Sequence, residues 1–368
     1  MLGRRAVLVR DKRVVALCDA AAIPAGMETY VLDKDLVLAP GFVDLQVNGG
    51  GGVMFNDHPD CATLQVMAQA HAGLGTTTIL PTLISSDRAT RTAAMVAVRE
   101  ALRQAMPGIA GVHLEGPFLS PVRRGIHPAR AIAVPDAGDI AELVAGFEGA
   151  MLVTLAPEIV SATDIAAIAA SGKFVFAGHS DADFETATDS FAAGIVGTTH
   201  LFNAMSPLAS RSPGLVGAAL LQGVAGIIVD LLHVHPASVL MAYRCMGAGR
   251  LFLVSDAMAT IGSACESFVL DGNLIRLTQG RLADAGGTLA GAHLCMADAV
   301  RLAVARVGIP LADALRMATR TPADAVGLGD RGRIEPGSRA DFVALDGEYR
   351  VRQVWRDGCL FETGRLVA

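Results

Sequence analysis

Four ionisable side chains each follow an apolar run of the chain, which is the arrangement that a metal-dependent hydrolytic site requires. Glu115 ends the run 111–115, and His179, His200 and Asp256 end three later apolar runs. Carboxylate and imidazole groups are ligands of catalytic zinc-type centres, which also keep one position open for water. We therefore predict that Glu115, His179 and His200 bind one divalent ion. Asp256 is then the predicted general base, which takes a proton from water and passes it to the leaving group.

Each of these residues also has a plain structural interpretation. A glutamate at a strand end is usually solvated or ion-paired, a buried histidine is often a packed core residue, and Asp256 alone could cap the next segment. Their occurrence together, on different predicted strands, favours the metal site. Zinc is the predicted ion, one per subunit, and Fe, Mn, Co or Ni would accept the same ligands.

Short apolar runs alternate with Ala-rich helical patterns over most of the chain, which predicts an α/β fold. Strands are predicted at 42–47, 76–82, 109–115, 151–156, 173–179, 194–200, 225–231 and 251–256. Helical periodicity fills the intervals, for example from Cys61 to Leu74 and from Arg88 to Gln104. Strands that alternate with helices form parallel βαβ units, and eight of them fit a closed (β/α)8 TIM barrel. Reactive side chains in that fold lie at the C-terminal ends of the strands.

The two ends of the chain differ from this pattern and predict a small β domain. Short strands are predicted from Ala6 to Val9, Arg13 to Leu17, Tyr30 to Val37, Asp341 to Leu345, Arg350 to Arg356 and Cys359 to Phe361. The pairs Asp11-Lys12 and Asp357-Gly358 are plausible hairpin turns. Neither end is long enough for its own core, so residues 1–40 and 332–368 are predicted to pair into one domain, with the barrel at 41–331.

Composition and charge argue against several other classes of protein. The 368 residues are 52% hydrophobic and 5% aromatic, as expected for parallel strands buried on both faces. The formal net charge of −6 comes without a basic stripe, so nucleic-acid binding has no support. Six scattered cysteines form no C-x-x-C pair, which argues against a disulfide framework or a cysteine metal site. Without an apolar span or a secretory signal, we expect a cytoplasmic enzyme that does not enter a membrane.

Seven short segments occur in a fixed order along the chain, and together they resemble a known family. The segments are 40–52, 113–117, 155–158, 178–180, 199–207, 255–257 and 287–291. The ordered set resembles the N-acetylglucosamine-6-phosphate deacetylase family, within the amidohydrolase superfamily. The resemblance implies a TIM barrel of the amidohydrolase type with a β-sandwich-like domain built from both termini. It also implies hydrolysis of the acetamide of N-acetyl-D-glucosamine 6-phosphate, which gives D-glucosamine 6-phosphate and acetate.

The resemblance also implies roles for individual residues. It assigns the three metal ligands and the proton carrier as above, and it puts His127 near the substrate carbonyl as a further catalytic residue. Positions implied to bind the sugar and its phosphate are Ile126, His127, Asn203, Ala204, Arg211, Asp230, His233, Leu289, Ala290 and Gly291. The family's equivalents of Arg211 and His233 reach a neighbouring subunit's site, which implies a homodimer. The implied partner is therefore a small amino-sugar phosphate.

Gln46 and Asn48 occupy the place of the first-strand H-x-H metal pair of the amidohydrolase superfamily. A neutral amide is a poor ligand beside imidazole, so these two residues predict a single-metal centre. Cyclic-amide hydrolases and deaminases usually need the histidine pair, which argues against them. Two further alternatives stay open: an amidohydrolase that acts on another N-acyl amino-sugar phosphate, and a non-catalytic barrel that serves as a scaffold.

Overall fold

The computed structural model describes residues 5–362, so the outermost parts of the predicted terminal domain, 1–4 and 363–368, lie outside the described residues. The strands are β1 Arg5–Arg10, β2 Arg13–Asp19, β3 Val37–Pro40, β4 Phe42–Val47, β5 Gly49–Gly50, β6 Val53–Met54, β7 Thr76–Ile84, β8 Gly111–Glu115, β9 Ala150–Leu155, β10 Phe174–Ala177, β11 Ile195–Thr198, β12 Val224–Ile228, β13 Leu251–Val254, β14 Ser267–Leu270, β15 Asn273–Thr278, β16 Arg281–Ala283, β17 Phe342–Leu345, β18 Val351–Arg356 and β19 Cys359–Leu360. The α-helices are α1 Cys61–Gly73, α2 Arg88–Arg103, α3 Ala137–Val144, α4 Ala162–Ala170, α5 Phe184–Ala193, α6 Gly214–Leu221, α7 Pro236–Met246, α8 Met296–Leu302, α9 Leu311–Ala318 and α10 Arg320–Ala325.

An eight-stranded parallel sheet with helices outside it confirms the predicted (β/α)8 barrel. Its strands follow the order β4, β7, β8, β9, β10, β11, β12 and β13. The barrel closes where the N–H of Asp256 donates to the carbonyl of Gln46, and the N–H of Asn48 donates to the carbonyl of Ala257. Most strand residues are buried, because helices cover the outer face and side chains fill the interior.

Four predicted strands end earlier than expected. β10, β11, β12 and β13 stop two or three residues before the predicted ends at 179, 200, 231 and 256. His179, His200 and Asp256 therefore follow their strands rather than close them, with φ values of +48°, +35° and +51°. A positive φ lies outside the β region, so the ladder cannot continue through these residues. Apolar periodicity does not reveal such a turn, so the sequence pattern extends the strands too far.

The first two helices begin where aspartate side chains cap them. The side chain of Asp60 accepts from the N–H of Thr63 at the start of α1, and Asp87 accepts from Thr90 at the start of α2. Both predicted helices are confirmed, and each ends one residue earlier than predicted. None of the helices within residues 5–362 is long and apolar enough to cross a membrane.

The two ends of the chain contribute strands to one antiparallel sheet, in the order β3, β17, β18 and β19, and β1 pairs with β2 in a separate hairpin. The turns at Asp11-Lys12 and Asp357-Gly358 are confirmed, with positive φ at all four residues. The predicted strand from Tyr30 to Val37 is wrong. β3 begins only at Val37, because its partner β17 ends at Leu345, which pairs with Val37. The predicted domain boundaries stay a prediction.

The sequence patterns do not predict the three-stranded antiparallel sheet β14–β16 that follows the eighth barrel strand. Its two-residue turns, Asp271-Gly272 and Gln279-Gly280, have positive φ throughout. The Asp-Gly pair is a hairpin signal that could have revealed this sheet. Leu270 and Leu282 pack in a buried cluster with Met258, so the sheet lies against the segment that follows β13.

Asp44 is a buried carboxyl group close to the line where the barrel closes. Its Oδ1 accepts hydrogen bonds from the N–H groups of Gln46 and Ser255, each over 3.2 Å. Oδ2 is buried, and no donor within residues 5–362 reaches it. Burial raises the pKa of Asp44 to about 7, although these hydrogen bonds act in the opposite direction. Folding therefore favours the neutral carboxyl, and the free energy of unfolding falls as pH rises from about 4 to about 7.

Asp44→Asn places a neutral side chain of similar shape at this position at every pH. We expect its free energy of unfolding, relative to the unchanged protein, to rise by on the order of 2 kcal/mol between pH 5 and pH 8, because only the carboxyl must ionise in a buried position. Urea unfolding of both proteins at the two pH values measures this difference. A difference that stays constant or falls with pH contradicts a raised pKa at Asp44.

Candidate active site

Glu115, His179 and His200 bring three ligand atoms together at the C-terminal end of the barrel. Oε1 of Glu115 lies 3.3 Å from Nε2 of His179 and 3.0 Å from Nε2 of His200, and the two Nε2 atoms are 2.9 Å apart. Nδ1 of His179 lies 2.9 Å from the carbonyl oxygen of Arg123. That oxygen can only accept, so the neutral ring carries its hydrogen on Nδ1 and its Nε2 lone pair faces the cluster. The three buried ligand atoms fit a divalent cation.

The carboxyl of Glu115 is ionised although it is buried. Burial opposes its ionisation, but the adjacent imidazoles of His179 and His200 outweigh burial and hold the pKa of Glu115 well below its usual range. Burial also opposes protonation of His200, yet the adjacent Glu115 raises the pKa of this imidazole above its usual value. The cluster therefore attracts positive charge, which a divalent ion would supply.

Asp256 lies beside this cluster and is held by two amide side chains. Its Oδ1 is 3.2 Å from Nε2 of Gln46 and 2.6 Å from Nδ2 of Asn48. The same Nε2 of Gln46 lies 3.1 and 3.2 Å from the two carboxylate oxygens of Glu115. Burial, and then the charge of Glu115, raise the pKa of Asp256 to about 6. Gln46 and Asn48 thus present N–H groups, which cannot ligate a metal, to the two carboxylates.

His127 presents a hydrogen-bond donor next to the ligands. The backbone N–H of Ser85 donates to Nδ1 of His127 over 3.2 Å, and Oγ of Ser85 lies 2.8 Å from the same atom. A backbone N–H can only donate, so the neutral ring carries its hydrogen on Nε2. Burial lowers the pKa of His127 well below its usual range, which keeps the ring neutral. Because its centroid is 4.3 Å from that of His179, the ring places this donor beside the cluster.

A cavity of about 380 Å³ contains the cluster, Asp256 and most of the predicted substrate-binding residues. The predicted residues that line it are Ile126, His127, Asn203, Ala204, His233, Leu289 and Gly291. Arg211, Asp230 and Ala290 lie outside this lining. Asp230 instead holds the ring of His233, because its Oδ2 is 2.6 Å from Nδ1 of that histidine. Ala290 is fully buried and packs in the same cluster as Met258.

Arg211 and His233, which the resemblance assigns to a neighbouring subunit's site, differ from each other in their position relative to the cavity. His233 lines the cavity of its own chain, so a single subunit already presents this residue to the site. Arg211 is exposed in the loop between β11 and α6. It is therefore free to contact another molecule, and it does not line the cavity of its own chain.

Two supporting residues were not predicted from the sequence. Ser85 orients His127, and Arg123 orients His179 through its backbone carbonyl. Ser85 directly follows β7, so the rule that places functional residues at strand ends would have found it. A backbone carbonyl is common to every residue type, so no sequence signal marks Arg123.

The amidohydrolase family profile matches residues 37–360, and the chain belongs to this family. It is 45% identical over 324 residues to an N-acetylgalactosamine-6-phosphate deacetylase of Shewanella sp. (strain ANA-3), covering 87% of this chain and 82% of that relative. It is 36% identical over 353 residues to an N-acetylglucosamine-6-phosphate deacetylase of Haemophilus influenzae, covering 94% of this chain and 92% of that relative.

Solved structures agree with these relatives. The crystal structure of N-acetylglucosamine-6-phosphate deacetylase from Pasteurella multocida superposes with a TM-score of 0.95 at 34% identity, covering 98% of this chain and 95% of that chain. A mutant of the Mycobacterium smegmatis enzyme, in complex with N-acetyl-D-glucosamine 6-phosphate, superposes with a TM-score of 0.89 at 32% identity, covering 96% of this chain and 93% of that chain. The predicted resemblance to this family is confirmed.

Glu115→Gln removes the negative charge from the ligand cluster and keeps the shape of the side chain. We expect this variant to bind Zn²⁺ at least about 100-fold more weakly than the unchanged protein, because an amide is a poor substitute for a carboxylate ligand. Asp256→Asn is the matched control, with an expected Zn²⁺ affinity within about threefold, because it alters a carboxylate outside the ligand set. Competition with a chromogenic chelator measures both affinities. Equal retention of zinc by the two variants would exclude Glu115 as a ligand.

Proposed function

We propose that the chain hydrolyses the acetamide of N-acetyl-D-glucosamine 6-phosphate, which yields D-glucosamine 6-phosphate and acetate. The observation that carries the proposal is the position of Asp256 beside the cluster of Glu115, His179 and His200 in one cavity. Relatives that span most of the chain and are named deacetylases of amino-sugar phosphates support it. A scaffold would have no need for a buried ligand set next to a carboxyl with a raised pKa.

Glu115, His179 and His200 would hold the metal ion, which we propose to be one Zn²⁺ per subunit. When bound there, a divalent ion polarises a carbonyl oxygen and promotes the ionisation of water. The amide nitrogens of Gln46 and Asn48 face the two carboxylates, which supports a single ion rather than two. Fe, Mn, Co or Ni would suit the same nitrogen and oxygen donors.

Asp256 carries the proton between the attacking water and the leaving nitrogen. Its carboxylate accepts a proton from water as the new carbon–oxygen bond forms at the acetyl carbon. It then gives that proton to the amide nitrogen as the carbon–nitrogen bond breaks, which releases acetate and the free amine. A pKa of about 6 suits both steps, because a group that titrates near the working pH can accept and donate.

His127 supplies a hydrogen bond to the acetyl oxygen. Its Nε2–H donor follows from the contact of Nδ1 with the backbone of Ser85. A neutral donor stabilises the negative charge that develops on this oxygen and does not compete with Asp256 for the proton. The backbone of Ser85 thus sets which nitrogen of His127 faces the substrate.

N-acetyl-D-galactosamine 6-phosphate is a second candidate substrate. The relative from Shewanella, at 45% identity, is named for this sugar. The two sugars differ in the configuration of one hydroxyl group, while the acetamide and the phosphate are the same. The residues that act on the acetamide therefore serve either substrate.

Acetate release distinguishes these functions. We expect the protein to release acetate from N-acetyl-D-glucosamine 6-phosphate with a kcat/KM at least about 100-fold above that for the unphosphorylated sugar, since the phosphate supplies remote binding energy. We expect Asp256→Asn to keep its metal and to lose at least about 100-fold in kcat, the lower end for general acid–base catalysis. An enzyme-coupled acetate assay measures both.

N-acetyl-D-galactosamine 6-phosphate and a cyclic amide are tested as further substrates. If kcat/KM is higher for N-acetyl-D-galactosamine 6-phosphate than for N-acetyl-D-glucosamine 6-phosphate, the galactosamine compound is the preferred substrate and the proposed reaction is unchanged. Turnover of the cyclic amide alone, or near-native turnover by Asp256→Asn, would overturn the proposed reaction or the role of Asp256.

We also propose that the protein is a homodimer in which Arg211 reaches the phosphate in the partner's cavity. Arg211 is exposed and lies outside the cavity of its own chain, and a guanidinium suits bidentate phosphate binding. Leu208, in the same loop, and Leu232, next to His233, are 56% and 49% exposed, and apolar side chains suit a subunit contact. We propose that His233 acts in its own subunit.

Mixing two inactive variants tests this arrangement. Arg211→Ala and Asp256→Asn should each be impaired as pure dimers, whereas a 1:1 mixture should regain about one quarter of the native sites, because half the dimers are mixed and each holds one complete site. Arg103→Ala, on the exposed side of α2, is the control for loss of a surface charge. A monomer in analytical ultracentrifugation, or no recovery on subunit exchange, contradicts the cross-subunit role.

A further inference from the structure

Two buried amide side chains lie between the carboxylate that would bind the metal and the carboxylate that would move the proton. Gln46 and Asn48 are each 1% exposed. Within residues 5–362, the side-chain amide of Gln46 hydrogen-bonds to both Glu115 and Asp256 through one nitrogen atom, whereas the side-chain amide of Asn48 hydrogen-bonds to Asp256 alone. Both amides therefore hold Asp256, and Gln46 also holds Glu115.

The chemistry of the acceptors fixes which way both amides face. Ionised carboxylate oxygens only accept hydrogen bonds, so the amide nitrogens must face them. No donor within residues 5–362 reaches Oε1 of Gln46 or Oδ1 of Asn48. The amide orientations are therefore set by the carboxylates and not by contacts at the opposite ends of the two side chains.

Both amides hold the same oxygen of Asp256. Nε2 of Gln46 and Nδ2 of Asn48 both reach Oδ1, at 3.2 and 2.6 Å. The backbone N–H of Asp256 is also tied to the carbonyl of Gln46, so backbone and side chain are fixed from the same strand. Turning the carboxylate away from this position would break both side-chain hydrogen bonds. Oδ2 is therefore the oxygen that remains available to the cavity.

We propose that Gln46 and Asn48 are positioning residues that hold Oδ1 of Asp256 so that Oδ2 carries the proton. This inference rests on the proposed function, in which Asp256 is the proton carrier. Gln46 has a second task, because its amide also holds both oxygens of Glu115 and so orients a metal ligand. In the part of the chain that the structure describes, the amide of Asn48 forms no hydrogen bond to Glu115, His179 or His200, so it acts on Asp256.

The different contacts predict different defects. Gln46→Met keeps the length of the side chain and removes its donors, so it should weaken Zn²⁺ binding by about 10- to 100-fold, the usual effect of losing a partner of a metal ligand. Asn48→Ala should leave the Kd for Zn²⁺ within about threefold and lower kcat by at least about tenfold, with KM within about threefold, because only the proton carrier loses its support. A merely structural role would not separate metal affinity from kcat in this way.

Chelator competition on the holoprotein gives the Kd for Zn²⁺, and acetate release gives kcat and KM. Asn273→Ala, at an exposed position in β15, is the control for loss of an asparagine. If Asn48→Ala does not fold, Asn48→Leu keeps a side chain of similar shape and removes the donors. A variant at Asn48 with a kcat within about twofold of the native value would overturn the inference, and so would native zinc affinity in Gln46→Met.

The zinc titration and the acetate assay together distinguish failure of this inference from failure of the proposed function. Zinc titration needs no substrate, so the Gln46 result can be obtained even if every sugar phosphate fails as a substrate. Failure of the native protein on all sugars would reject the proposed function. Native turnover with an unaffected Asn48→Ala variant would reject only the positioning role.

Discussion

A buried carboxylate needs positive charge or hydrogen-bond donors close to it, and this requirement shapes the C-terminal end of the barrel. Glu115 is 2% exposed and ionised, and it meets two imidazole nitrogens and the amide of Gln46. Hydrogen bonds to Glu115 do not cancel its negative charge, so the cluster attracts cations, and a divalent ion would supply the missing positive charge. Burial, and then the charge of Glu115, make the ionisation of Asp256 harder and raise its pKa to about 6, where this carboxyl can exchange protons.

The backbone is arranged to bring these groups together. His179, His200 and Asp256 each lie two residues beyond a barrel strand and each has a positive φ. Such conformations cost on the order of 1 kcal/mol or more for a residue with a side chain, and in this chain they occur in hairpin turns as well as at the site. Three residues in this conformation lie at one end of the barrel. The parallel strands hold this end rigid, and the positive φ values direct the three side chains into the site. A cation bound by His179 and His200 would offset part of that cost.

Much of this arrangement follows from the sequence, and the parts that do not follow have physical reasons. Apolar runs predict the eight strands, and the strand-end rule brings Glu115, His179 and His200 together. The same runs cannot reveal left-handed residues, so strands that lead to the histidines are predicted too long. The strand at Tyr30 fails because only its partner strand decides where pairing starts. Arg123 acts through its backbone carbonyl, which no residue type marks, and the role of Arg211 does not follow from one chain, since its proposed target lies on another molecule.

The most direct test of the account is the location of metal in crystals of the zinc-loaded protein. An anomalous difference map collected above the zinc edge should contain one strong peak per chain, within about 2.3 Å of Oε1 of Glu115 and Nε2 of both histidines. Absence of a peak among these three atoms would contradict the metal centre. A second peak of comparable height between Gln46 and Asp256 would contradict the single-ion site and the donor role of the amides.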